Sequence, residues 1–446
     1  MAPRDNPKKT VRNLTLTHFI NRIAHQSSAL GYGLANSLLV FVLILILANR
    51  VVAQQSDPPS TLLTLQNWLQ AHELDDDALK LLGDQHFASV ALTRQEADSA
   101  RELIWSARRA YLQESRQAEW ETRELVEGEL RMPFWFKVFG DAPPGGRSLF
   151  ISMHGGGGAP ADVNDSQFEN QKRLYQPEEG IYLVPRAPTN TWDLWHQSHI
   201  DGFFDRIITD MMVFENVNPN RVYLMGYSAG GDGVYQLAPR MADRFAAAAM
   251  MAGHPNESRP DGLRNIGFTL HMGANDSAYN RNRIASEWEQ KLKVLKSSDP
   301  EGYVHEVTIH EGLGHWMNRQ DAVAVPWMAK FDRQPWPKKI VWVQDDVRHN
   351  RFYWLQTAED QAKAGDEVIA SVQDNTIHVE RSTLPLLTFL LSDTLLNIDR
   401  PITVVQPNGS QSTQSVSRTI ANLAESLTER NDPASMSPSR LTIELK

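Results

Sequence analysis

Between residues 148 and 309 the chain repeats one grammar: a short apolar run, a glycine-rich or polar loop, then a segment with helical spacing. The runs 148–153, 180–185, 221–225, 266–271 and 303–309 each have the length of a strand. Near-continuous apolar strands that alternate with helices are covered on both faces, so the pattern predicts a mostly parallel sheet with helices on both sides. Upstream, residues 54–131 read as helical. Thr93 and Glu96 have the spacing of a capping box, and Ala97, Ala100, Ile104, Ala107 and Tyr111 follow at helical intervals. Downstream the pattern changes again. Short runs at 339–344, 352–355, 368–372, 376–380, 386–391, 402–405 and 441–445 are separated by turn formers such as Asn408-Gly409. One helix is expected over 419–428, and 431–439, rich in Pro and Ser, reads as a flexible loop. The predicted organisation is a helical region over 54–131, an α/β domain over 132–334 and a small β-rich accessory domain over 335–446.

The N-terminus has a different character. The first 53 residues hold six basic side chains against Asp5 alone, ahead of and around an apolar run at 38–48 that leads to Val51-Val-Ala53. A basic flank, a short apolar run and small residues before a polar stretch predict an export signal over 1–53. The run is short for a membrane span, which takes about 20 apolar residues, so an uncleaved signal-anchor is the lesser reading. This leader carries a surplus of five positive charges, which leaves −15 on the remainder of a chain whose formal net charge is −10. So acidic a body offers no field to attract phosphates, and no nucleic-acid partner is expected. A membrane would be met only through the N-terminal segment. The absence of cysteine excludes disulfides, thiolate metal sites and a thiol nucleophile.

Candidate chemistry centres on Gly226-Tyr-Ser-Ala-Gly230. It follows a predicted strand and precedes a helix-competent run, the context in which a tight turn lifts a serine hydroxyl above a sheet edge. Ser228 is therefore the candidate nucleophile. A serine hydroxyl is weak at neutral pH and needs an adjacent base. Of 14 histidines, His315 lies in a glycine-loosened loop just after a strand. His310, at the strand end, is its nearest rival. Asp276 follows the strand at 266–271 and is the candidate acid, ahead of Asp261 and Asp232. His154-Gly-Gly-Gly-Gly158 follows the first strand of the α/β domain, where bare backbone N–H groups can approach an oxyanion. Gly155, Gly156 and Ala229 are the expected donors, with the register open by one position. The aromatic and polar loop 186–201 is expected to wall the substrate pocket, with Trp192, Trp195 and Trp316 as candidate contacts. His196, His199 and Asp201 could be read as a metal cluster, but the serine chemistry needs none, and no metal is expected.

Strand–HGGGG, strand–GYSAG, GANDSAYNR and GLGHW, in that order, resemble the α/β-hydrolase superfamily. They are most similar to its exported esterase branch, the polyhydroxybutyrate-depolymerase-like and feruloyl-esterase-like proteins. The resemblance covers about 132–333. It implies a Ser228–Asp276–His315 acyl-enzyme mechanism on an ester, small molecule or polymer, without cofactor. The four-glycine segment departs from the shorter His-Gly-Cys type of much of that branch, which bears on the substrate class. Two alternatives remain: a serine peptidase of prolyl-oligopeptidase type, and a catalytically silent glycan- or surface-binding protein acting through 335–446.

Overall fold

The computed structural model describes residues 60–446. The export signal expected over 1–53 lies outside the described residues. Among those described, no helix is long and apolar enough to cross a membrane.

Helices α1 (Ser60–Gln70), α2 (Asp76–Gly83), α3 (Arg94–Ser115) and α4 (Gln117–Thr122) come first. Thr93 and Glu96 close the capping box at the start of α3. Helical character ends earlier than residue 131, where the sequence reading placed it. Arg123 turns left-handed at φ 57°, and β1 (Glu124–Glu127) and β2 (Leu130–Phe139) follow. The cause is a period-two set, Leu125, Met132 and Phe134, that buries one face of the hairpin.

β1 and β2 form the antiparallel edge of an eight-stranded sheet ordered β1-β2-β4-β3-β5-β6-β7-β8. Its remaining strands, β3 (Arg147–Met153), β4 (Gly180–Pro185), β5 (Val217–Tyr227), β6 (Ala247–Met251), β7 (Gly267–Gly273) and β8 (His305–His310), are parallel. Connecting helices are α5 (Ala161–Gln171), α6 (Ser198–Phe214), α7 (Ala229–Arg240) and α8 (Arg281–Ser298). Side chains alternate between faces. Leu149, Ile151, Val222 and Leu224 join one core, while Phe150, Tyr223 and Met225 join another on the opposite face, where α9 (Ala324–Met328) packs. β6 is built from Ala247-Ala-Ala-Met-Met251, whose small side chains let covering helices come close to the sheet. The fold is thus α/β, a mostly parallel sheet covered on both faces, with a β-rich C-terminal part.

That C-terminal part holds two sheets. β10 (Arg351–Phe352), β11 (Leu355–Gln356), β14 (Leu386–Leu391) and β17 (Ser439–Glu444) form one. β9 (Lys339–Val343), β12 (Glu367–Gln373), β13 (Thr376–Ser382), β15 (Ile402–Val405) and β16 (Gln411–Gln414) form the other, joined by one parallel pairing, β13 with β15. Helix α10 (Ile420–Glu429) ties these sheets to the N-terminal helices, with Glu429 pairing with Arg351 of β10 and Glu425 with Arg440 of β17. Its Ile420, Leu423 and Leu427 pack among Leu65, Leu79, Leu82 and Ile104 of the N-terminal helices. Trp342, Phe352 and Leu355 share a core with Trp195, Phe204 and Leu237 of the α/β part. Residues 59–446 consequently form one compact unit.

The stretch 431–439 is not the flexible loop its composition suggests. Asp432 is fully buried and accepts from Arg333 at 2.7 Å and Arg244 at 3.5 Å, and Arg430 pairs with buried Asp243. Burial pushes the Asp432 carboxyl up most strongly, yet Arg333 and Arg244 together hold it below the ordinary range. Proline and serine cannot reveal an anion whose partners lie about 100 and 190 residues away.

Candidate active site

β5 ends in a bend that no ordinary turn makes. Ser228 sits at φ 59°, ψ −120°, between the last residue of β5 and the first of α7. Glycine is required on both sides of it. A Cβ on Gly226 would lie 2.1 Å from the Gly230 carbonyl oxygen, and one on Gly230 would lie 2.2 Å from that of Met153. The Ser228 N–H donates to the Met251 carbonyl at 3.0 Å, which ties the bend to β6.

His315 and Asp276 converge on that serine. The Ser228 hydroxyl lies 3.0 Å from His315 Nε2, and His315 Nδ1 lies 2.7 Å from Asp276 Oδ2. A proton on Nδ1 satisfies both contacts: the imidazole donates to the carboxylate and accepts from the hydroxyl. Asp276 is buried, while His315 is half-exposed at the cavity. The loops after β7 and β8 bring them together, and their backbones touch. The Asn275 N–H donates to the Leu313 carbonyl at 2.8 Å, and a Cβ on Gly273 would fall 2.0 Å from the Gly314 carbonyl.

The glycine loop faces the same hydroxyl. A Cβ on Gly155 would stand 3.2 Å from Ser228 Cβ. Gly156 and Gly157 have φ of 113° and 112°, and a Cβ on Gly156 would sit 2.0 Å from Asn164 Oδ1. Ala229 opens α7, so its N–H has no acceptor within the helix. The loop is braced from behind. His154 Nδ1–H donates to the Gly155 carbonyl at 2.6 Å, and its Nε2 accepts from the Ala187 N–H at 3.1 Å. Burial pushes this imidazole down to about 4, so it is neutral. Asn164 accepts from the Gly157 N–H at 3.0 Å and donates back to the Gly157 carbonyl at 3.1 Å.

The three tryptophans separate. Trp316 is 48% exposed and lines the cavity of about 650 Å³ that contains Ser228 and His315. Trp195 is no substrate contact: it is fully buried, and its Nε1–H donates to the His154 carbonyl at 2.9 Å, a strut beneath the glycine loop. Trp192 is 63% exposed, and its backbone lies against Gly157 and Gly158. Its side of the loop opens onto a second cavity, about 940 Å³, shared with Glu257 and His349.

The rivals lie elsewhere. His310 is buried against His271, with Nε2 and Nδ1 3.2 Å apart. Asp261 pairs with Arg259, and Asp232 accepts from the His254 N–H at 2.6 Å while burial pushes its carboxyl up to about 7. Asp201 is held by Arg240 at 2.6 Å and His349 at 2.8 Å, so it does not combine with His196 and His199. Among the described residues, Glu257, Asp345 and Asp346 are close enough together to share a cation, but Glu257 and Asp346 line the second cavity.

Sequence reasoning missed the supports. The Tyr227 hydroxyl donates to the His315 carbonyl at 2.6 Å and accepts from the Met317 N–H at 3.0 Å, pinning the histidine loop to the serine bend. Arg281 Nη1 stands 3.6 Å from Asp276 Oδ1, the oxygen that His315 leaves free. Both lie within segments already singled out, GYSAG and GANDSAYNR, where their spacing to the candidate residues was the available signal. Asn164 had none.

A serine on a strained strand-to-helix bend, reached by the loops after β7 and β8 of a mostly parallel sheet, is the arrangement of the α/β-hydrolase class. No family model matches the chain. Over 139 residues it is 28% identical to a bifunctional acetylxylan esterase/xylanase of Neocallimastix patriciarum, covering 30% of this chain and 20% of that protein. Over 131 residues it is 30% identical to NocK of Nocardia uniformis subsp. tsuyamanensis, a protein named as an esterase, covering 27% of this chain and 38% of that one. The chain therefore spans well under half the length of either relative. Similar solved structures include a thermostable esterase (TM-score 0.35, 18% identity, 47% of this chain and 62% of that one). Another is the feruloyl esterase module of Clostridium thermocellum complexed with sinapinate (TM-score 0.35, 13% identity, 47% and 86%). Each of these four is named, in whole or in part, as an esterase.

Proposed function

We propose that the chain is an exported serine hydrolase that cleaves carboxylic esters through an acyl-enzyme. The observation that carries the reading is the unbroken hydrogen-bond relay from the Ser228 hydroxyl through His315 to Asp276, opposite the bare backbone of Gly155 and Gly156. Ser228 Oγ attacks the ester carbonyl while His315 Nε2 takes its proton. Asp276 holds the imidazole in the needed tautomer and offsets the charge on the imidazolium. Backbone N–H groups of Ala229 and the glycine loop receive the oxyanion, where one preorganised donor contributes about 2.7–4 kcal/mol. His315 then protonates the leaving alcohol, and water repeats the cycle to free the acid. The esterase names among the similar proteins support ester over amide as the bond cut. Export rests on the pattern of the N-terminal 53 residues.

Purified chain assayed on short p-nitrophenyl esters and on dipeptide amides tests the reading. Ester turnover is expected, lowered on the order of 10⁴–10⁶-fold by Ser228→Ala. Full ester turnover by that variant would end the proposal, and a preference for the amides would move the assignment to a peptidase.

A further inference from the structure

We infer that the cavity at Ser228 is shaped for esters that carry a carboxylate. The inference rests on the esterase reading and names its substrate class. Beside Ser228 and His315 the cavity has an apolar side made by Val163, Leu174 and Trp316, and two solvent-exposed arginines, Arg173 and Arg319, form part of its wall. No described Asp or Glu lines it. This is notable in a chain of net charge −10, and the second cavity shows the contrast, with Asp193, Glu257, Asp346, Glu359 and Asp360 in its wall. Positive charge is concentrated where the reaction would occur.

Neither guanidinium is neutralised inside the fold. Arg173 Nε donates to the Glu169 backbone carbonyl at 3.3 Å, while the Glu169 carboxylate is taken by Lys172. Neither arginine forms an ion pair with another described residue. Arg319 is also held in an unusual backbone. Asn318 and Arg319 have φ of 52° and 62°, three and four residues beyond His315. Asparagine adopts that conformation readily and arginine seldom does. Such strain persists where surrounding structure over-determines it, and it collects at ligand clamps. Here the Gln320 N–H bonds the Met317 carbonyl and the Ala322 N–H bonds that of Arg319, which fixes the turn at the cavity rim.

A guanidinium stays charged across the working pH range and meets a carboxylate with two parallel N–H···O bonds. A carboxylate anchored on Arg173 or Arg319 would orient the rest of a small ester over the serine, converting binding energy into alignment. The anchored group belongs either to the acyl part or to the alcohol part, and the substrate arms separate the two.

The test measures kcat/KM of the full chain on two matched pairs. Methyl hemisuccinate against methyl butyrate places the charge on the acyl side, and acetoxyacetic acid against propyl acetate places it on the alcohol side. In one pair the charged ester is expected to win by roughly tenfold to a hundredfold, the worth of a charge-assisted hydrogen bond. That ratio should fall as salt is added, a readout that needs no variant. It should collapse in Arg173→Ala with Arg319→Ala and recover in part with Arg319→Lys. Ratios near one in both pairs, or a ratio that survives salt and both substitutions, would overturn the inference while leaving the esterase reading in place. Failure of the esterase reading would show differently, as neutral-ester turnover that persists in Ser228→Ala.

Discussion

His154 shows how one residue serves fold and chemistry together. Its neutral ring accepts from Ala187 on one side and donates to Gly155 on the other, so protonation would break the first bond and loosen the glycine loop. Its folded value of about 4 lies below an unfolded value of about 6.5. A base lowered in this way contributes stability that is complete above about pH 6.5 and lost as pH falls toward 4, amounting to about 3 kcal/mol at most. The unfolding free energies of wild type and His154→Gln, measured at about pH 7.5 and about pH 4.5, should draw together on acidification. Taking the difference cancels other titrating groups such as Asp232. A gap that stays constant or widens would contradict the assignment. In the sequence His154 was read only as the start of a glycine segment. Its ring partners, Gly155 next to it and Ala187 far along the chain, follow from the packing of a loop after β4 against a loop after β3, which no local pattern encodes. Ser228, Asp276 and His315, by contrast, were legible because each is tied to a strand end that the hydrophobic pattern marks.

At the level of elements, the site depends on how closely α7 crosses the sheet. A Cβ on Gly231 would stand 2.4 Å from the Met251 carbonyl and 3.0 Å from Gly253 Cα, backbone atoms that cannot swing aside. Gly231→Ala should therefore push α7 away from β6 and carry Ser228 out of line with His315. Overpacking of this kind costs about 1–3 kcal/mol, more than the helix gains from replacing glycine. The melting temperature and kcat should both fall, and a variant with wild-type values of each would refute the account of this crossing. The strands at β4, β14 and β15 match their sequence-derived bounds because their apolar runs stop at turn formers. β6 was invisible for the opposite reason. A run of alanines carries no strand preference, and only the need for close helix packing makes it one.

The whole molecule is joined by buried charge as well as by apolar contact. Asp432 and Arg430, in the segment between α10 and β17, pair with Arg333, Arg244 and Asp243 of the α/β part, all but the slightly exposed Arg430 being buried. Removing one partner leaves the others uncompensated, which costs about 3–5 kcal/mol. Asp432→Asn should lower the unfolding midpoint of the entire described unit in one transition, since cores are shared across residues 120–443. A separate early transition of 335–446 would instead support the independent accessory domain that the strand pattern suggested. The change from alternating strands and helices to short strands alone was legible in the sequence. The interlocking was not, because it depends on contacts such as Leu427 with the N-terminal helices. The claim beneath all of this is that Ser228 is an activated nucleophile, and treatment of the intact chain with a fluorophosphonate, followed by mapping of the adduct by mass spectrometry, tests it most directly. One adduct on Ser228, lost in His315→Ala, is the expected result. An unlabelled chain, or label on another serine while Ser228 stays free, would contradict it.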